Sequence, residues 1–193
     1  VFAEDTALAL REGMVVLTPG APSRRGEALV MAADCRRLGL ELHWPEGSGT
    51  VDGGDVLVTP REVLVGRSER SDEPGCEALA RLLRSLGHAV RAVETPPGVL
   101  HFKSDCSLLD ADTVLATRRL AAGGAFGNYR VIELPDGEET AANAVRVNGV
   151  VLLADGFPRT AERLSNAGFE VVPVPVSQAA LLDGGLSCQS LRF

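Results

Sequence analysis

No apolar run in the 193 residues approaches the 18 or so needed to cross a bilayer as a helix, and the opening residues lack a basic stretch followed by an apolar core. Neither a membrane span nor an export signal is therefore expected. Positive charge is also in short supply, with 19 Lys and Arg against 26 Asp and Glu, a formal net charge of -7. That balance argues against a dedicated nucleic-acid or anionic-membrane surface and leaves small molecules as the expected partners, although local arginine clusters could still take small anions. Cysteine is sparse as well. Cys35, Cys76, Cys106 and Cys188 form neither a CxxC pair nor a small disulfide scaffold, so the compartment reads as reducing cytoplasm. The chain starts at Val1, inside an apolar segment rather than at Met, and reads as a piece of something longer.

What is present is a repeat of about 45 residues. Short strand, tight turn, second strand, amphipathic helix and third strand recur four times. The first copy is "EDTALALREGMVVLT", a helix from about Ser23 to Arg37 with Ser23 as its N-cap and Gly39 behind it, and then "LELHW". The second is "DGGDVLVTPREVLVG", a helix from about Asp72 to Ser85 with Gly87 behind it, and the alternating strand "HAVRAVE". In the third, "CSLLDADTVLATRRLAAGGAFGNYRVIEL", Gly123 and Gly124 weaken the helix by about 1 kcal/mol each against Ala. The fourth has the hairpin "AANAVRVNGVVLLA" turning at Asn148-Gly149, a helix led in by Pro158 and ended by Gly168, and "FEVVPVPV". The units run approximately 1–48, 49–97, 98–138 and 139–176, with a partial fifth at 177–193, in one catalytic domain spanning 1–193. In that remnant Gln189 to Phe193 reads as a strand that presents Cys188. Such units bury their apolar faces only against neighbours, so an incomplete ring leaves an edge to be covered.

Indexing the polar residues by their phase within the unit gathers the chemistry. Glu4-Asp5, Asp52, His101, Asn143 and Cys188 recur at intervals of 42 to 49 residues. In a ring of similar units, residues of one phase meet around one axis, and carboxylates, an imidazole and a thiol would face one site. Arg24 and Arg70 share a second phase, where second strand meets helix, and a pair of guanidinium forks there would hold the anionic end of a ligand. The plainer readings differ residue by residue. "DGGD" alone is a turn, most of the arginines are solvated surface residues, and His43 and His88 lie off the phase of His101. Cys35, Cys76 and Cys106 fall in helices or an apolar strand, where inert buried thiols are the default.

These residues resemble the dimethylarginine dimethylaminohydrolases of the guanidino-group-modifying, or pentein, superfamily. The likeness is carried along the whole chain by "VFAEDTALAL", "TPGAPSRRGE", "DGGDVLVTPREVLVGRSERS", "LHFKSDCS", "AAN" and "DGGLSCQSLRF" in the family's order. It implies an α/β fold, a propeller of ββαβ repeats around a pseudo-fivefold axis, here about four units plus a partial fifth. It further implies that Cys188 is the nucleophile, His101 the general acid and base, and Asp52 the carboxylate orienting His101. Glu4 and Asp5 would line the guanidinium site, Arg24 and Arg70 would bind the substrate α-carboxylate, and the backbone at Leu182 and Asp183 would add a contact. The family's N-terminal segment, with a lid loop and a further acidic contact, has no counterpart before Val1. Arginine deiminases of the superfamily carry an acidic residue two places after the catalytic His, where this chain has Lys103, which favours an N-methylated substrate.

The implied reaction is hydrolysis of Nω,Nω-dimethyl-L-arginine, or its monomethyl form, to L-citrulline and an amine through a covalent thiouronium. It needs no cofactor and no metal, and its partner is the small-molecule substrate, with no nucleic acid or membrane; a homodimer is compatible with it. Two other readings stand beside it. One is another guanidino-modifying enzyme, a deiminase or amidinotransferase; the other is a silent ligand-binding scaffold that keeps the ring without its lid.

Overall fold

The computed structural model describes residues 2–192. Its twelve strands form four three-stranded sheets, each an antiparallel hairpin followed, after a helix, by a strand parallel to the hairpin's second arm. The first sheet is β1 (Ala7–Leu10), β2 (Gly13–Val16) and β3 (Leu42–His43); the second is β4 (Val56–Val58), β5 (Val63–Arg67) and β6 (Val90–Glu94). The third is β7 (Cys106–Leu108), β8 (Thr113–Ala116) and β9 (Arg130–Glu133), and the fourth is β10 (Val145–Val147), β11 (Val150–Ala154) and β12 (Glu170–Val174). The crossover helices are α1 (Arg25–Arg37), α2 (Glu73–Ser85), α3 (Arg118–Ala122) and α4 (Pro158–Asn166).

Local chemistry sets these limits. The Asp72 side chain accepts from the Gly75 amide at 2.8 Å and caps α2, so Asp72 stands just outside the helix rather than within it. Gly39, Gly87 and Gly168 follow their helices in the left-handed region, as expected of a terminating residue. Ser23 is not a cap: it lies in a 3-10 turn at Pro22–Arg24, its side chain makes no capping bond, and α1 starts at Arg25. Proline at the head of that turn starts the coil early, and the regular helix follows it.

The helices join neighbouring sheets. Cys76, Leu79 and Leu83 of α2 pack against Val56, Val63 and Val65 of their own sheet and also against Leu8, Val15 and Leu17 from the first. Leu164 of α4 shares one buried cluster with Val151 and Leu153 of the fourth sheet and Leu115 and Ile132 of the third. Leu120 of α3 likewise lies in a cluster that draws on the second and third sheets. Each fully buried Leu in these seams contributes about 1.5–3 kcal/mol. Helix α1 buries Ala28, Ala32 and Cys35 in clusters with residues of its own sheet, and Leu191 of the C-terminal segment packs against the one that holds Cys35. On its outward side Leu29 and Val30 are 67% and 64% exposed.

The fifth unit contributes α5 (Ser177–Ala180) and a 3-10 turn at Ser187–Gln189. The strand expected from Gln189 onward is not formed among the described residues, and Phe193 lies outside them. A strand needs a partner for its backbone groups, and no β-ladder reaches this segment among the described residues. Cys188 is therefore presented from a turn.

Candidate active site

Five 3-10 turns lead from one unit to the next at Ala3–Thr6, Gly53–Asp55, Phe102–Ser104, Glu139–Ala142 and Ser187–Gln189. Each touches the next, and the last touches the first. Among the described residues the turns thus close a ring of contacts on themselves. This ring carries the residues of common phase: Glu4 and Asp5 on the first turn, Asp52 before the second, His101 before the third, Asn143 after the fourth and Cys188 within the fifth.

Its seams are specific. The Gly54 amide donates to Asp5 Oδ1 at 3.1 Å. A Cβ on Gly54 would lie 2.7 Å from the His101 ring and one on Gly53 would lie 1.9 Å from the Glu4 carbonyl oxygen, so both places require bare backbone. The third and fourth turns meet where Asn143 Nδ2 donates to the Lys103 carbonyl at 3.1 Å. The fourth holds the fifth through the Ser187 amide on Asn143 Oδ1 at 2.8 Å and Asn143 Nδ2 on Ser187 Oγ at 3.0 Å. Ser187 Oγ then donates to Glu4 Oε2 at 2.8 Å, and Lys103 Nζ lies 2.5 Å from Glu4 Oε1. Lys103 is the sole lysine of the sequence.

Asp52, fully buried, accepts from the Gly20 amide at 2.7 Å on one oxygen and contacts His101 Nε2 at 2.9 Å on the other. The carboxylate is thus aimed at the imidazole and is not merely capping its own turn. Burial disfavours the charged imidazole, but the hydrogen bond to Asp52 and the charges of Asp5, Asp55 and Asp52 outweigh it, and the His101 pKa rises above its ordinary value. The Cys188 thiol is also pushed up, first by burial and further by the negative charges of Glu4 and Asp5; the Gly185 backbone and Lys103 act in the other direction. Without a further cation nearby, the thiol therefore holds its proton at neutral pH.

One donor atom each from Asp5, Asp52 and His101 lies within 4.8 Å of the others, a cluster suited to a cation. Arg24 already reaches it, donating from Nη1 to Asp5 Oδ2 at 2.7 Å and from Nη2 to the Phe2 carbonyl at 3.1 Å, with Glu27 on its other side. Arg24 thus turns toward the carboxylates, where the sequence paired it with Arg70 for the anionic end of a ligand. No side-chain hydrogen bond or ion pair involves Arg70 among the described residues, while its backbone is held by Thr50 Oγ1 on the carbonyl at 3.1 Å. Leu182 is exposed, and Asp183 adopts a left-handed conformation at φ 57. His43 and His88 stand apart, contacting the Glu12 carbonyl and the Glu12 carboxylate.

A hollow of about 460 Å3 is lined by Ala7, Val56, Ser107 and Val145 of the innermost strands and, at one end, by Glu4, Lys103 and Ser187. Asp5, Asp52, His101 and Cys188 are not among its walls. The residues of the ring and the axial hollow are therefore distinct features, with the Glu4–Lys103 pair belonging to both. From sequence Lys103 spoke only for the substrate class, Asn143 shared the common phase without a role, and Ser187 was not singled out although it adjoins Cys188.

The arginine deiminase family model matches residues 1–148. A dimethylarginine dimethylaminohydrolase of Pseudomonas aeruginosa is 32% identical over 194 residues, covering all of this chain and 76% of the relative. Its namesake from Streptomyces coelicolor is 35% identical, covering all of this chain and 74% of the relative. The solved structure of the Pseudomonas enzyme as a Cys-to-Ser mutant complexed with citrulline superposes with a TM-score of 0.94 at 32% identity, covering 100% of this chain and 76% of that one. The N-terminal domain of a cyanobacterial arginine dihydrolase, 20% identical, shares the fold at a TM-score of 0.87.

Proposed function

Because the chain belongs to the arginine deiminase family, and within it to the dimethylarginine dimethylaminohydrolases, we propose that it hydrolyses Nω,Nω-dimethyl-L-arginine, and the monomethyl form, to L-citrulline and the corresponding amine. The observation that carries this reading is the ring of five turns, in which a thiol, an Asp-paired imidazole and two further carboxylates share one annulus.

A guanidinium is a poor electrophile because three nitrogens share its charge. Asp5 and Glu4 supply negative charge for it, and the cation cancels the field by which those carboxylates hold the Cys188 proton in place. The thiol then gives up its proton to solvent as substrate arrives. Sγ attacks the guanidinium carbon, and protonated His101, favoured by Asp52, gives its proton to dimethylamine as the C–N bond breaks. A thiouronium on Cys188 remains. Neutral His101 takes a proton from water, hydroxide adds to the same carbon, the C–S bond breaks as the hydroxyl proton passes to the departing sulfur, and citrulline leaves with the ureido oxygen. Arg70 and Arg24 are assigned to the α-carboxylate, Arg24 by exchanging Asp5 for it, and the backbone at Leu182 and Asp183 to a further contact.

Lys103 supports a methylated substrate over free arginine. Its ammonium is spent on Glu4, and an acidic side chain in its place would face that carboxylate. No helix among the described residues is long and apolar enough to cross a membrane. The reading extends to the reducing cytoplasm, consistent with four free cysteines, and to a homodimer, which light scattering would test. The central experiment is release of dimethylamine with citrulline from Nω,Nω-dimethyl-L-arginine, lost in Cys188→Ser. Ammonia from arginine, or transfer of the amidine to an amine, would instead establish a deiminase or an amidinotransferase.

A further inference from the structure

We infer that Asp55, whose charge is felt by His101 but which contacts no reacting group in the steps above, is a positioning residue that holds the Arg70 loop and the His101 turn in one register. One buried carboxylate then sets both the grip on the far end of the ligand and the placement of the acid. The inference rests on the proposed reaction and on Arg70 as the carboxylate fork.

Asp55 is fully buried, and three donors from two distant segments converge on it. Ser68 Oγ and Ser71 Oγ each donate to Oδ2 at 2.6 Å, and the Phe102 amide, next to His101, donates to Oδ1 at 2.7 Å. Ser68 Oγ in turn accepts from the amides of Arg70 at 3.0 Å and Ser71 at 3.2 Å. The loop is wound around a single carboxylate with Arg70 at its tip. Ser71 Oγ also accepts from the Asp52 amide at 3.0 Å, which ties the same loop to the residue that orients His101. A Cβ on Gly20 would lie 2.2 Å from the Arg70 carbonyl oxygen, and the Gly20 amide donates to Asp52. Since no described partner holds the Arg70 guanidinium, its position depends on this backbone anchoring.

A carboxylate that only supported the fold would show the same bonds, so the test must separate positioning from stability. Ser68→Ala and Asp55→Ala are made alone and combined with Arg70→Ala, and assayed on Nω,Nω-dimethyl-L-arginine and on its decarboxylated analogue, Nω,Nω-dimethylagmatine. Ser68→Ala removes only the hydroxyl that joins Asp55 to the Arg70 and Ser71 amides, and it carries the test if Asp55→Ala does not fold. It is expected to raise KM for the carboxylate-bearing substrate about tenfold, the scale of one hydrogen bond to a charged group, with kcat little changed. It should add nothing in the Arg70→Ala background and nothing toward the analogue, because both lack the interaction being positioned. Asp55→Ala also releases the Phe102 amide, and is expected to lower kcat toward both substrates. A Ser68→Ala penalty that persists undiminished with Arg70→Ala or with the analogue, or no penalty at all, overturns the inference. Absence of wild-type turnover of dimethylarginine overturns the underlying reading and this inference with it, whereas wild-type turnover with additive losses overturns the inference alone.

Discussion

Replacing Lys103 by Met should be among the most damaging changes in the protein outside the reacting groups. Its ammonium lies 2.5 Å from Glu4, and the two side chains are only 11% and 7% exposed. Removing one member of a buried pair leaves the other charge uncompensated, at a cost of about 3–5 kcal/mol. Ser187 Oγ still donates to Glu4, which places the expected loss at the lower end, about 3 kcal/mol. For a chain of this size that corresponds to a fall in Tm of about 6–12 °C. The double variant Glu4→Gln, Lys103→Met leaves no lone charge and should recover at least half of the loss, as buried pairs replaced together usually do.

Urea denaturation of the wild type, both single variants and the double variant closes that cycle. The thiol offers an independent reading. Lys103 is the cation that draws the Cys188 pKa down against Glu4 and Asp5, so the Lys103→Met thiol should alkylate more slowly with iodoacetamide at mildly alkaline pH. If Lys103→Met unfolded within about 1 kcal/mol of wild type, or the double variant were no more stable than the single, the pair would not be the buried, mutually dependent unit argued from its geometry.

Much of this organisation was legible because it is periodic. Asp72 before the α2 pattern and Gly87 after it set that helix to within a residue, and four hairpin-helix-strand units follow from four returns of one polar and apolar rhythm. The same rhythm brought Asp5, Asp52, His101, Asn143 and Cys188 together, since equal phase becomes a shared ring once the units pack side by side. What periodicity cannot show is how a side chain turns. Arg24 was read by its place at a strand–helix junction, but a carboxylate 19 positions away in sequence captures it. Lys103 signalled a substrate class, whereas in the fold its first effect is to neutralise Glu4. "QSLRF" looks like a strand by composition, yet strand identity depends on a neighbour that local sequence does not contain. Asn143 and Ser187 are linked across 44 positions by hydrogen bonds that no local pattern announces.

The remaining expectations follow from the same ring. Asp52→Asn should lower the His101 pKa, followed by NMR titration of its ring protons; an unchanged midpoint would mean that Asp52 does not govern the imidazole. Because the folded pKa lies above the ordinary value of about 6.5, this histidine's contribution to stability is complete below that value and is lost as pH rises through the folded one. The stability gap between wild type and Asp52→Asn should therefore narrow across that window. Gly54→Ala forces a Cβ to within 2.7 Å of the His101 ring, and turnover should fall about a hundredfold, the scale of a misplacement near 1 Å; near-normal turnover would show that the ring has room to move. Cys188→Ser should melt as wild type does, retain citrulline binding and lose turnover, since a hydroxyl ionises far less readily than a thiol. Truncation after Cys188 tests how the nucleophile is presented. It removes the Ser190 amide, which closes the turn on the Ser187 carbonyl at 3.0 Å, and the packing of Leu191 against the cluster of Ala7, Met14 and Cys35. The four sheets do not depend on a strand from this segment, so the truncated chain should still unfold cooperatively while its turnover and thiol selectivity are lost. Turnover at the wild-type rate would show that Asn143 and Glu4, acting through Ser187, hold Cys188 in place without any residue that follows it.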